Sequence, residues 1–158
     1  MKHTISVLVE NKFGVLARVA GLFSARGFNI CSLAVGETQD PNISQMSIVV
    51  DAVDARVLEQ IIKQLHKLID TISVIDLTKK DFVERELALI KVGCDKKSLP
   101  KIKALLNKHK RLTRLIRHSY KGAIIEVCGT SEEVEGFIAS LQPYNIRELM
   151  RTGKVALA

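Results

Sequence analysis

The residues from Asn11 to Leu16 hold the one concentration of usable chemistry in this sequence, and it is main-chain chemistry. The apolar alternation Ile5, Val7, Val9 gives out at Glu10, and after Gly14 a helical pattern begins at Val15, Leu16, Val19, Leu22 and Phe23. That spacing predicts a tight strand-to-helix turn with Gly14 inside it, where a residue without a side chain admits unusual backbone angles and close approach of a ligand. The first helical N–H groups, those of Val15, Leu16 and Ala17, are expected to point outward without intrahelical partners. Unpaired donors at the positive end of a helix dipole can hold a small anion. One glycine leaves too little room for a phosphate-cradling loop or a dinucleotide pyrophosphate, so a carboxylate is the better fit.

No other chemistry is visible. His3, His66, His109 and His118 stand apart, with no carboxylate or thiol at ligand spacing, so no metal site is expected. No nucleophile elbow, paired catalytic carboxylates or glycine-rich phosphate loop is present, so no catalytic residue is assigned and the chain is not expected to act as an enzyme by itself. Cys31, Cys94 and Cys128 each lie in an apolar, strand-like setting, which predicts three buried thiols in a reducing compartment. Glu132, Glu133 and Glu135 read as helix-start or surface charge.

The elements that must position the turn follow from periodicity. Strands are expected over 3–10, 28–37 and 43–51, with helices over 15–26 and from Asp54, whose apolar positions Val57, Leu58, Ile61, Ile62, Leu65 and Leu68 keep a 3.6-residue period. A fourth strand carries Ile72, Val74 and Leu77. Residues 1–78 therefore spell βαββαβ, a ferredoxin-like antiparallel sheet with both helices on one face. The other face, and an edge strand such as the second, would seek cover in another copy.

Thr78-Lys79-Lys80-Asp81 is a polar break. Residues 79–158 repeat the pattern: a strand from Leu87 to Gly93, a helix opened by Ser98-Leu99-Pro100, strands over 112–116 and 123–128 around Tyr120-Lys121-Gly122, a capping box Thr130-Ser131-Glu132-Glu133 ahead of a helix stopped by Pro143, and a last strand over 145–152. The fold class is α+β, with two tandem ferredoxin-like βαββαβ domains, 1–78 and 79–158.

Composition fits that reading. The 158 residues are 47% hydrophobic, enough for two small cores, and no apolar run is long enough for a membrane span. The first strand starts almost at Met1, which leaves no room for a signal or transit peptide and predicts a protein that works where it is made, or one whose presequence has been removed. The net charge of +7 is uneven: residues 1–78 carry 7 basic and 8 acidic side chains, residues 79–158 carry 17 and 9. The basic half, with its run from Lys108 to Arg117, admits a nucleic-acid-binding alternative or a plain solvated surface. With 4% aromatic residues the first has no stacking pattern to support it.

Val9-Glu10-Asn11-Lys12-Phe13-Gly14-Val15-Leu16, Gly21-Leu22-Phe23-Ser24-Ala25-Arg26-Gly27-Phe28-Asn29-Ile30 and Ser32-Leu33-Ala34-Val35-Gly36 closely resemble the N-terminal ACT domain of the small regulatory subunits of acetolactate synthase (acetohydroxyacid synthase). The resemblance resumes at 58–65, at Val83-Glu84-Arg85-Glu86-Leu87, at 125–130 and at Arg151-Thr152-Gly153. It departs between Asn107 and His118, where a basic run replaces the expected phenylalanine, arginine-glycine pair and acidic residue. It implies a non-catalytic subunit that activates a large thiamine-diphosphate enzyme and confers feedback inhibition by a branched-chain amino acid, valine foremost. It also implies a homodimer through the ACT domains with the effector between two copies: Asn11, Gly14, Val15 and Leu16 from one, Asn29 and Ile30 from the other. No cofactor is implied on this chain; thiamine diphosphate, Mg and FAD would belong to the large subunit. A cytoplasmic location, or a plastid stroma for a plastid-encoded chain, goes with that role.

Overall fold

The structure is a computed structural model that describes residues 1–78, 80–119 and 122–158. The chain divides into two compact units, Met1–Val83 with Lys154–Ala158, and Glu84–Gly153. Lys79 of the polar break and the Tyr120-Lys121 turn lie outside the described residues.

The first unit runs β1 (Lys2–Glu10), α1 (Val15–Ala25), β2 (Ile30–Glu37), β3 (Ile43–Asp51), α2 (Ala55–Leu65) and β4 (Thr71–Asp76). Its sheet has the order β2-β3-β1-β4 with every pair antiparallel, so β2 and β4 are the edges. Strand alternation places Ile5, Val7 and Val9 of β1 beside Met46, Ile48 and Val50 of β3, under Val19, Leu22 and Phe23 of α1 and Leu58, Ile61 and Leu65 of α2. Helix α1 stops where expected: Gly27 takes φ 68°, and the N–H groups of Arg26 and Phe28 both turn back to the Phe23 carbonyl.

Helix α2 starts on Asp54, whose carboxylate accepts from the N–H groups of Arg56 and Val57 at 2.9 Å each. Asp54→Ala leaves both donors to water and is expected to lower stability by about 1 kcal/mol, read as a shift of the urea midpoint at unchanged slope.

Two expectations need correction here. Leu16, placed with the apolar face of α1, is 46% exposed while Val15 is 4% exposed; the burying stripe falls on Val15, Val19, Leu22 and Phe23. The second face of the sheet is also less bare than expected. Thr4, Ser6, Ser47 and Val49 on that side are all buried, and the chain's own last strand β9 (Val155–Leu157) supplies part of the cover. The Ala156 N–H donates to Ser47 Oγ at 3.1 Å and the Lys154 N–H to Ser32 Oγ at 3.4 Å. Hydroxyls on a sheet face accept main-chain donors in a way that apolar side chains cannot.

The second unit runs β5 (Val83–Val92), α3 (Ser98–Lys108), β6 (Thr113–Ser119), β7 (Gly122–Gly129), α4 (Ser131–Ser140) and β8 (Ile146–Arg151). The sheet order β6-β7-β5-β8, again antiparallel, repeats the first unit's topology. Ala88, Ile90, Val92, Ile125 and Val127 face Ile102, Leu106, Val134, Phe137 and Leu141. The strand expected over 112–116 forms from Thr113 and extends to Ser119.

Thr130 and Glu133 make the predicted capping box, Thr130 Oγ1 accepting from the Glu133 N–H and Glu133 Oε2 from the Thr130 N–H. The Thr130 N–H, followed by the Arg111 guanidinium, holds the Glu133 carboxyl below the ordinary glutamate range. Asp95 is likewise lowered, first by the Ser98 hydroxyl. A carboxyl with a depressed folded-state pKa contributes stability that is present above its unfolded pKa and lost as pH falls through the folded value. Urea midpoints are therefore expected to fall on acidification below about pH 4, and less steeply in Glu133→Gln than in wild type.

The cysteines depart from expectation. Only Cys94 is buried; Cys31 and Cys128 are exposed. Cys128 follows buried Val127 and so points to the opposite face, and Cys31 lies where the β2–β3 register shifts between Ile30 and Ser32.

Candidate functional site

Gly14 takes φ 79° and ψ −2°, the left-handed conformation, and caps α1 with no side chain. Its carbonyl already accepts from the Arg18 N–H at 2.9 Å. The Val15 N–H, expected to be free, instead reaches the Lys12 carbonyl at 3.3 Å, because the chain from Glu10 to Val15 curls into a turn. Among the described residues no acceptor reaches the N–H groups of Leu16 and Ala17, so the turn keeps two open donors rather than three.

Asn11 closes the turn onto the β2–β3 hairpin. Its N–H donates to the Asn42 carbonyl at 2.6 Å, and its Nδ2 to Glu37 Oε1 at 3.0 Å and the Pro41 carbonyl at 2.8 Å. With both amide hydrogens used, the amide oxygen is the group left over, an acceptor with no donor from the described residues.

Two cations stand beside the turn. Lys12 Nζ is held on Glu10 Oε2 at 2.7 Å, and that hydrogen bond raises the lysine's pKa above its ordinary value. Arg18 places Nε and Nη2 each 2.7 Å from Oδ2 of Asp70, a carboxylate only 9% exposed. Asp70 also supplies the carbonyl that accepts from the Glu10 N–H. One residue thus ties the end of β1, the start of β4 and the first turn of α1 together.

The turn brings together Asn11, Gly14, Val15 and Leu16, but not Asn29 and Ile30. Glu10 pairs with Ile43 at one end of β3, whereas Ile30 pairs with Val50, the partner of His3, at the other. Seven residues of strand separate the two ends, about 23 Å at the usual rise. Within one protomer Asn29 and Ile30 cannot line the Gly14 turn. Val15 itself is core, and Ile30 packs partly against the same core, so of the apolar candidates Leu16 alone is open to a ligand at the turn.

Sequence reasoning passed over Phe13, Arg18 and Asp70. Phe13 is fully exposed directly before Gly14. An aromatic residue beside a turn glycine was a visible signal; the Arg18–Asp70 pair spans 52 positions and left none.

Residues 5–73 match the family model for the AHAS small subunit-like ACT domain, and residues 85–158 that for the small subunit of acetolactate synthase. A probable acetolactate synthase small subunit from Archaeoglobus fulgidus is 52% identical over 99% of this chain and 96% of its own length. The chain belongs to the acetolactate synthase small-subunit family. The acetolactate synthase small subunit of Mycolicibacterium smegmatis is 46% identical over 99% of this chain and 90% of its own. The crystal structure of the Thermotoga maritima small subunit superposes with a TM-score of 0.88 at 41% identity, covering 99% of this chain and 96% of that one. This is a regulatory subunit with an ACT domain, not catalytic by itself.

Nothing in these relatives supports nucleic-acid binding, and the basic run is divided among a helix end, a turn and a strand. Lys108 ends α3, His109 stacks edge-on against Phe137 with centroids 5.5 Å apart, Arg111 pairs with Glu133 at 2.8 Å, and Arg114 and Arg117 lie on β6. No helix among the described residues is long and apolar enough to cross a membrane.

Proposed function

We propose that this small subunit binds a large thiamine-diphosphate-dependent catalytic subunit, raises its activity and makes it sensitive to feedback inhibition by a branched-chain amino acid, valine foremost. The protein acts as a homodimer through its ACT units, with β2, the exposed edge of the first sheet, at the junction. The effector's carboxylate lies on the Leu16 and Ala17 N–H groups of one copy. Its ammonium meets the amide oxygen of Asn11, and Asn29 and Ile30 of the second copy close the pocket. Leu16 and Ile30 flank the branched side chain. The effector binds one arrangement of the dimer more tightly and so shifts the holoenzyme's equilibrium. Thiamine diphosphate, Mg and FAD stay on the large subunit, and the complex works in the cytoplasm, or in a plastid stroma if the chain is plastid-encoded.

The observation that carries this reading is the separation of the two halves of the site within one chain. Donors that meet no acceptor among the described residues at the Gly14 end, and Asn29 with Ile30 at the far end, would come together if a second copy lay end for end beside the first, which supports the reading. The test is reconstitution. Adding the purified protein to the large subunit of the same organism is expected to raise acetolactate formation, and L-valine to reduce it only when the small subunit is present. Equal activity with and without the small subunit would dismiss the reading.

A further inference from the structure

We infer that Arg18 is a direct ligand of the effector's carboxylate, held in place for that task by the buried Asp70. This assignment rests on the effector-site reading above and adds to it a side chain that neither the sequence motifs nor the family resemblance brings forward.

Arg18 uses part of its donor set on Asp70. Nε and Nη2 both converge on Oδ2, each at 2.7 Å, and Nη1 has no partner among the described residues. That nitrogen lies over the turn glycine, 3.2 Å from where a Cβ on Gly14 would sit. The absence of a side chain at position 14 is what leaves the space beside Nη1 open. An arginine fork that spends one edge on an acidic partner and presents the other at a fixed position is suited to a carboxylate, because the geometry is set before the ligand arrives.

The neighbouring cation does not compete for this role. Lys12 Nζ is committed to Glu10, and both side chains are well exposed. Arg18 differs in its anchor: Asp70 is almost wholly buried and its backbone is tied into the β1–β4 junction, so the guanidinium is fixed rather than free to sweep through solvent. Leu16 and Ala17 N–H supply main-chain donors on the same turn of α1; the guanidinium adds a charged donor beside them. The resulting pocket discriminates a free carboxylate from an uncharged carboxamide, which neither Asn11 nor the apolar side chains can do.

Calorimetric titration of the full-length protein with L-valine and with L-valinamide tests this, using wild type, Arg18→Ala, Arg18→Lys and Lys12→Ala, each checked for native circular dichroism and dimer mass. Wild type is expected to prefer valine to valinamide by about tenfold or more, the scale of a hydrogen bond to a charged group. Arg18→Ala should lose that preference, mainly through weaker valine binding, and Lys12→Ala should keep it. Arg18→Lys keeps a cation against Asp70, which limits the loss of stability, but it has one nitrogen instead of three and so should still lose the preference. An undiminished valine-to-valinamide ratio in Arg18→Lys and Arg18→Ala would overturn the role given to Arg18 while leaving the effector site standing. A wild-type protein that binds no branched-chain amino acid would remove the effector site and this assignment with it.

Discussion

L-Valine is expected to raise the melting temperature of the wild-type protein, and Gly14→Asp to abolish the rise. At a hundred times its dissociation constant a ligand that binds only the native state adds about 2.7 kcal/mol, which for a chain of this length corresponds to roughly 5–10 °C. Position 14 has φ 79°, where aspartate is tolerated better than most residues, so the variant should fold with a modest loss of stability. Its Cβ would lie 3.2 Å from Arg18 Nη1, which places the new carboxylate in the space proposed for the effector's own. The side chain then occupies the site covalently. Differential scanning calorimetry with and without L-valine checks this; equal shifts in wild type and variant would show that the effector binds elsewhere.

Arg151→Ala is expected to destabilise the second unit by about 3 kcal/mol, because it strips a buried carboxylate of its forked partner. Arg151 donates from Nε and Nη2 to the two oxygens of Glu86 at 2.7 and 3.0 Å, and Glu86 is 4% exposed. These hydrogen bonds, Glu86 first, push the arginine's pKa further above its already high value, so the cation persists at every usable pH. Nη1 also reaches Glu135 at 2.8 Å, but that carboxylate is 67% exposed. Glu135→Ala should therefore cost less than about 1 kcal/mol. Urea unfolding of the two variants side by side gives the contrast. Similar midpoints would mean that Glu86 finds compensation that the fork does not provide.

Most of the architecture was written in periodicity. The alternation of Ile5, Val7 and Val9, the heptad-like run from Val57 to Leu65 and the capping residues Asp54 and Thr130 each specify a local element, and each forms as expected. What alternation could not show was which side chains on a face are covered, because cover comes from distant chain. Ser47 is met by Ala156 of β9 and Ser32 by Lys154 just before it, more than a hundred residues later, and no local pattern announces that strand. The thiols failed for a related reason: an apolar neighbourhood in sequence does not decide which face a strand residue takes, and Cys31 and Cys128 take the open one.

At the site, the Gly14 turn was legible because a strand pattern and a helix pattern meet there with a single glycine between them. The Val15 N–H was misjudged, since its partner is a carbonyl three residues back that only the curl of the turn delivers. Arg18 and Asp70 could not be paired from sequence at all.

A shared effector site, with the Gly14 turn of one copy completed by Asn29 and Ile30 of another, is what the proposed function stands on. Two variants that each lack half of it, Gly14→Asp and Asn29→Lys, can be unfolded together in equal amounts, refolded as a mixture and titrated with L-valine. Neither variant alone should bind. Random pairing makes half of the dimers mixed, and each mixed dimer carries one intact site and one doubly damaged one, so about a quarter of the wild-type binding capacity should return. No recovery on mixing, or full binding by Asn29→Lys alone, would contradict a site built between two copies.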